Sequence, residues 1–66
     1  MKNISIDNGH SYCTISEALE DFDINTIAHY MDDATRERVC NEGNFETDEE
    51  FIKRYLEIAD DDIVIG

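Results

Sequence analysis

The excess of acidic side chains constrains this chain more than any other feature of its sequence. Of its 66 residues, 17 are Asp or Glu and 5 are Lys or Arg, which gives a formal net charge of -12. A domain of this size has little interior, and unpaired carboxylates are almost never buried, so nearly all of them are expected on the surface. The apolar fraction of 41% is still enough for one core. We therefore predict a single folded domain over residues 1–66 rather than a disordered chain.

The charge and the cysteine content also limit where the chain works and what it binds. A strongly negative surface repels nucleic acid and anionic lipid, and it attracts basic protein surfaces. No basic-then-apolar leader is recognisable at the start, and no apolar run approaches the roughly 20 residues of a membrane span. Two cysteines, Cys13 and Cys40, are too few for a disulfide framework and are expected as reduced, small core residues. These features indicate a cytoplasmic protein without direct nucleic-acid or membrane contact.

The N-terminal residues predict a β-hairpin. Ile4 and Ile6 alternate with polar neighbours, which is the period of a half-buried strand. Asn8-Gly9 follows, and this dipeptide favours a tight turn because both residues tolerate positive φ. Alternation then resumes over residues 11–14 as a second strand.

Three short helices are predicted after the hairpin. Thr14 and Glu17 have the spacing of a capping box, so Thr14 should begin the first helix. Asp23 or Asn25 can cap a second helix whose apolar positions extend to Met31. Asp32-Asp33 can cap a third helix over about residues 34–40, with a left-handed stop at Gly43.

The C-terminal part predicts one longer helix and one strand. Thr47-Asp48-Glu49-Glu50 fits a second capping box with acids in the first turn. The residues behind it form one apolar stripe: Phe51, Ile52, Tyr55, Leu56 and Ala59. Ile63-Val64-Ile65 then has the composition of a buried strand that pairs with the hairpin. The predicted fold class is α+β: a small antiparallel sheet with three to four short helices on one face.

Two metal sites are conceivable, and both have features against them. Asp21, Asp23 and Asn25 place oxygens at the first, third and fifth positions of an EF-hand loop, with Asp32 at the twelfth. The sixth position, however, is Thr26 rather than the required glycine. The second candidate is a zinc set of His10, Cys13, His29 and Cys40, whose spacings match no usual zinc pattern. We therefore predict no metal and no cofactor.

The sequence also offers little for catalysis. A Cys–His nucleophile pair needs an orienting group and an enclosed pocket, which a chain this short rarely provides. The expectation is a protein that is not an enzyme and has no catalytic residues.

The acidic residues themselves admit two interpretations. One is solubility, since dispersed carboxylates keep small proteins monomeric. The other is mimicry of nucleic acid, because acids at i, i+3 and i+4 of a helix stand about 5–6 Å apart, which is comparable to the spacing of phosphates along a strand. Here the acidic clusters occur within predicted helices rather than in one tail, so the fold would hold them in place.

Three segments add a resemblance to a known group of proteins. Residues 30–37 (YMDDATRE), residues 50–57 (EFIKRYLE) and the C-terminal residues 63–66 (IVIG) resemble small acidic proteins of Firmicutes plasmids, conjugative elements and phages. The resemblance implies no settled activity and no functional residues. It implies a context in which antirestriction and anti-CRISPR inhibitors occur.

The leading hypothesis is an acidic nucleic-acid mimic that inhibits or regulates a basic host defence or nucleic-acid-binding protein by occupying its groove. The predicted contacts are Glu17, Glu20, Asp21, Asp32, Asp33, Glu37, Asp48, Glu49 and Glu57. The alternative is a non-enzymatic adaptor or homodimer that buries an apolar surface. Such a surface could come from residues 63–65 at a sheet edge or from the Phe51–Tyr55 side of the last helix.

Overall fold

A short hairpin, four helices and a final strand follow one another along the chain, and the computed structural model describes residues 2–66 of it. The elements are β1 (Ile4–Ile6), β2 (Ser11–Cys13), α1 (Ile15–Asp21), α2 (Ile24–His29), α3 (Asp33–Glu42), α4 (Asp48–Ile58) and β3 (Ile63–Ile65). This order confirms the predicted α+β class.

The predicted hairpin is present, and Asn8-Gly9 lies at the centre of the loop of four residues between Ile6 and Ser11. Two overlapping turns form this loop, because the N–H of Gly9 donates to the carbonyl oxygen of Ile6 and the N–H of His10 donates to that of Asp7, both at 3.1 Å. Asp7 and Asn8 are the central residues of the first turn, and Asn8 and Gly9 are those of the second. Asp7 and Asn8 have positive φ, 52° for Asp7 and 58° for Asn8, and Gly9 follows at 87°. Asp and Asn tolerate this region better than other side chains, which explains why the turn can use them.

The three strands form a mixed sheet in the order β2-β1-β3. β1 pairs antiparallel with β2, with Ile4 opposite Cys13. β1 pairs parallel with β3, with Ile4 opposite Ile63 and Ile6 opposite Ile65. The prediction of a wholly antiparallel sheet is therefore wrong for the C-terminal strand.

The position of the end of α4 explains the parallel pairing. The N–H of Lys2 donates to the carbonyl of Leu56 at 3.0 Å, which places the end of α4 beside the start of β1. The N–H of Asn3 donates to Asp62 Oδ1 at 2.9 Å, and the N–H of Ile63 donates to the carbonyl of Asn3 at 3.0 Å. The short loop over residues 59–62 thus delivers β3 to the end of the sheet where β1 begins. An antiparallel strand would have to begin at the opposite end of β1.

One core joins the inner face of the sheet to all four helices. The buried apolar residues are Ile4, Ala18, Ile27, Met31, Val39, Ile52, Tyr55, Leu56, Ile63 and Ile65. On the opposite side, Ser5 lies between Tyr12 and Val64 in a row across the strands, which we call the outer sheet face. Tyr12 is 67% exposed and Val64 is 43% exposed, so the helices cover only the inner face.

The first three helices begin at side-chain caps. The predicted capping box of α1 is confirmed, because Thr14 Oγ1 accepts from the N–H of Glu17 and Glu17 Oε1 accepts from the N–H of Thr14, both at 3.1 Å. Asp23, rather than Asn25, caps α2. Asp32 caps α3, which continues to Glu42, two residues beyond the predicted end.

The ends of α2, α3 and α4 differ in detail from the sequence prediction. α2 ends at His29, so the buried Met31 lies outside it. Gly43 has φ 53° and forms the predicted left-handed stop of α3. Thr47 caps α4 by accepting from the N–H of Glu50 at 3.2 Å. The Glu50 carboxylate accepts from the N–H of Glu46 at 2.9 Å rather than from Thr47, so the predicted second capping box is only half formed.

Candidate functional site

The structure places every predicted contact residue on the exposed side of α1, α3 or α4. None of these side chains is buried or half-buried. They lie on α1 (Glu17, Glu20, Asp21), at the cap and on the body of α3 (Asp32, Asp33, Glu37) and on α4 (Asp48, Glu49, Glu57).

Three of these residues have local roles in the fold. Glu17 completes the α1 capping box. Asp32 accepts from the N–H of Thr35 at 3.0 Å and from its hydroxyl at 2.9 Å, and these hydrogen bonds lower the pKa of Asp32 from its ordinary value of 3.8. Asp33 accepts from Arg36 at 2.8 Å. A partner would compete with these local bonds for the same oxygens.

Within residues 2–66, the other predicted contacts form no local hydrogen bond or ion pair through their carboxylates. They are Glu20, Asp21, Glu37, Asp48, Glu49 and Glu57. Their oxygens are therefore available to donors from outside the chain.

The basic residues compensate little of this charge. Arg54 donates to both carboxylate oxygens of Glu42, at 2.7 and 3.0 Å, and so ties α4 to the end of α3. This hydrogen bonding lowers the pKa of Glu42 and raises the pKa of Arg54. Arg36 forms the other ion pair found within residues 2–66, with Asp33. Most carboxylates thus face solvent without a cation of their own.

The charge is distributed unevenly between the sheet and the helices. The three strands contain no charged residue, whereas α1, α3, α4 and the N-caps of α2 and α3 all carry acids. Every acidic side chain except Asp62 is exposed, and Asp62 is half-buried. The molecule therefore has an acidic helical layer and an uncharged outer sheet face.

Sequence reasoning did not foresee a groove in the helical layer, between α2, α3 and the start of α4. Its volume is about 640 Å³. Its apolar and thiol lining comes from Ile24, Ala28, Cys40, Phe45 and Phe51, and its polar lining comes from Asn25, Arg36, Glu46, Thr47 and Asp48.

An aromatic pair forms part of the groove. Phe45 and Phe51 meet edge to face, with ring centroids 5.6 Å apart and planes at 84°. This geometry is favourable for two aromatic quadrupoles. The pair resembles a hydrophobic staple, in which an apolar residue before the N-cap packs on the fourth helical residue. A Phe shortly before the Thr47 cap and another at the fourth position of α4 are the sequence signal that could have revealed it.

A second, smaller cleft has a volume of about 120 Å³ and is lined by Asp32, Thr35, Tyr55, Asp60 and Asp61. The hydroxyl of Tyr55 accepts the N–H of Asp32 at 2.7 Å, which fixes the cap of α3 against α4. Within residues 2–66 no group of three or more His, Cys, Asp or Glu side chains is arranged to hold a metal ion. Ile24 and Asn25, which the EF-hand alternative needs in a loop, lie in α2.

The two cysteines, which are both free thiols, have different surroundings. Cys13 is half-buried on the inner sheet face; burial raises its pKa first, and the charges of Glu17 and Asp21 raise it further. Cys40 is exposed and lines the groove, so the expectation that it is a core residue is wrong. It lies on the outward side of α3, next to the buried Val39.

None of the helices in residues 2–66 is long and apolar enough to cross a membrane. Comparisons with protein-family models, with curated proteins and with solved structures found no match to this chain. The resemblance of its three segments to mobile-element proteins stays an expectation.

Proposed function

We propose that this chain is a non-enzymatic inhibitor or regulator that binds the basic nucleic-acid groove of a cytoplasmic protein, such as a restriction or CRISPR effector. Its surface carboxylates would take the places of phosphates. The observation that carries the proposal is the set of unpaired, exposed carboxylates on helices with fixed ends. A flexible acidic tail would lose much more conformational entropy on binding.

The spacing of these carboxylates supports the comparison with a phosphate backbone. On α1, Glu17 lies three residues before Glu20 and four before Asp21, and on α3 Asp33 lies four residues before Glu37. Side chains at these separations are neighbours about 5–6 Å apart. Glu20, Asp21 and Glu37 are unpaired, whereas Glu17 and Asp33 also accept local hydrogen bonds. Because their helices pack on one core, the acidic rows cannot move independently.

The alternative function, an interaction module with an apolar surface, has fewer exposed apolar residues than the sequence predicted. Ile63, Ile65 and Tyr55, on which it partly depended, are buried in the core. Apart from the groove that Phe51 lines, what is left for an apolar contact is the outer sheet face with Tyr12 and Val64. A row of three residues is small beside the roughly 800 Å² per partner of a stable interface.

The test uses the immobilised chain to capture proteins from a bacterial lysate. Captured proteins are eluted at constant ionic strength with a double-stranded DNA oligonucleotide or with polyglutamate. A protein held through its nucleic-acid groove should elute with DNA at concentrations at which polyglutamate fails, because DNA competes for the same shaped site.

A matched pair of variants assigns the surface involved. One carries Glu20→Gln, Asp21→Asn, Glu37→Gln, Glu49→Gln and Glu57→Gln, which remove unpaired charges. We expect it to capture roughly tenfold less protein at physiological salt, because small losses at each site accumulate. The control carries Tyr12→Ser and Val64→Thr on the outer sheet face and should capture as before. Undiminished capture by the first variant, or elution by salt but not by DNA, would contradict mimicry.

A further inference from the structure

We propose that the groove between α2, α3 and the start of α4 receives an aromatic side chain from the partner, with Lys or Arg residues beside it. The proposal rests on the proposed function in one respect, namely that the partner is basic. It adds a second kind of contact, an apolar one, beside Asp48, which is one of the unpaired carboxylates.

The size and lining of the groove suit a large side chain. Its volume of about 640 Å³ lies within the range of about 300–1,000 Å³ typical of ligand sites. Ile24, Ala28 and the Phe45–Phe51 pair give it apolar walls. An inserted ring would meet the edge or face of a phenylalanine, which is the preferred arrangement of aromatic groups.

The charges around the groove select a basic neighbour for that ring. Glu46 and Asp48 line one side, and their carboxylates accept no hydrogen bond within residues 2–66. α2, which lines the groove with Ile24, Asn25 and Ala28, contains no acidic residue. Arg36 also lines the groove, but its guanidinium already donates to the carbonyl of Ala28 and to Asp33, both at 2.8 Å. The free charge at the groove is therefore negative.

Nucleic-acid channels combine basic and aromatic side chains, and the acidic rim and apolar walls of the groove would bind both kinds. They follow the phosphates with Lys and Arg, and they stack bases on aromatic side chains. A mimic that supplied only carboxylates would leave those aromatic side chains without a partner. Here the carboxylates correspond to phosphates, and the groove accepts the ring that would otherwise stack on a base.

The first experiment titrates the purified chain with three peptides: Lys-Lys-Trp-Lys-Lys, Lys-Lys-Ala-Lys-Lys and Gly-Gly-Trp-Gly-Gly. The chain contains no Trp, so peptide fluorescence reports the environment of the indole without background. Protection of Cys40 from a maleimide gives a second readout that all three peptides share, and Cys13 serves as the internal reference thiol because it lies in the sheet and does not line the groove.

We expect the basic Trp peptide to bind with blue-shifted fluorescence and to slow modification of Cys40. The Ala peptide should bind at least roughly tenfold more weakly, because truncation of a buried aromatic anchor has effects of this size or larger. The neutral Trp peptide should also bind at least several-fold more weakly, and its binding should not depend on salt.

A matched pair of variants keeps the test independent of folding defects. Cys40→Phe fills the groove from an exposed position, whereas Asn41→Phe adds the same ring to the next exposed residue of α3, outside the groove. The first should abolish the blue shift, and the second should leave it unchanged. Circular dichroism checks that both variants keep the native helix content.

Each failure has its own signature. Equal binding of the Trp and Ala basic peptides, with no effect of Cys40→Phe, would overturn the groove proposal and leave charge mimicry standing. Binding of the neutral Trp peptide as tightly as the basic one would show an apolar ligand site and overturn the basic partner. A change of sedimentation on Cys40→Phe would point to a second copy of the chain in the groove, which also contradicts the proposal.

Discussion

Asp23 and Asp32 each close the first turn of a helix with a carboxylate that also adds to the surface charge. Asp23 Oδ1 accepts from the N–H of Thr26 at 2.8 Å, and Asp32 accepts from both donors of Thr35. These hydrogen bonds lower the pKa of each Asp from its ordinary value of 3.8. The acidic residues of this chain are thus not all equivalent, and some are needed for the fold itself.

This difference predicts how stability responds to acid. A carboxyl whose pKa is lower in the folded state stabilises the fold above its unfolded pKa, and that contribution is lost as pH falls through the folded pKa. Urea unfolding in salt that screens the repulsion among the other carboxylates should therefore show a falling free energy of unfolding from about pH 4 to pH 2. A variant with Asp23→Asn and Asp32→Asn keeps good N-caps at neutral pH and should show a shallower fall.

Glu37→Gln is the control for this measurement, because the Glu37 carboxylate accepts no hydrogen bond in the described part of the chain. Its stability should follow that of the parent chain across the same pH range. An acid slope in the double variant as steep as in the parent would show that the two caps do not carry the effect.

At the scale of elements, α4 organises the fold. Its side chains Ile52, Tyr55 and Leu56 are buried in the core. Its Arg54 donates a hydrogen bond to Glu42 of α3, and its Leu56 carbonyl accepts the N–H of Lys2, just before β1. Its regular apolar stripe allowed its prediction from sequence. α2 and α3 have few and uneven apolar positions, so their caps were easier to predict than the lengths of the helices.

The burial of α4 gives a direct stability prediction. Ile52 is fully buried, so Ile52→Val should lower the free energy of unfolding by about 0.5–1.5 kcal/mol through one lost methylene and imperfect repacking. Lys53→Ala, at the exposed neighbouring position, should change it by less than about 0.5 kcal/mol. Chemical denaturation of both variants measures the difference. Equal effects would mean that α4 does not pack as described.

At the scale of the whole molecule, the net charge of -12 lowers the stability of the folded state. Exposed carboxylates without cations repel one another in the compact state more than in the expanded unfolded chain. Added salt screens this repulsion, since the Debye length falls from about 30 Å at 0.01 M to about 10 Å at 0.1 M.

We therefore expect the melting temperature to rise between 0.01 and 0.15 M sodium chloride. The variant with five neutralised acids should start from a higher melting temperature and gain less from salt. The Tyr12→Ser, Val64→Thr variant keeps the full charge and should respond to salt like the parent chain. A melting temperature that stays flat or falls in the parent would contradict dense surface repulsion.

The sequence alone determined the features that depend on neighbouring residues. Local spacing specified the hairpin, the Thr14 capping box, the cap at Asp32 and the stripe of α4, because turns, caps and helix faces involve residues at most a few positions apart. Composition likewise determined that the carboxylates would be exposed, since so small a core has no room for unpaired charge.

Only the tertiary structure decided the features that join distant segments. The parallel direction of β3 depends on where α4 ends relative to β1, and the contact of Lys2 with Leu56 decides it. The groove requires α2, α3 and the start of α4 to meet at particular angles, which no local pattern encodes. The net charge of -12 could be counted from the sequence. Its distribution could not, because the acidic helices form a layer opposite an uncharged sheet face only when all four pack on one side of the sheet.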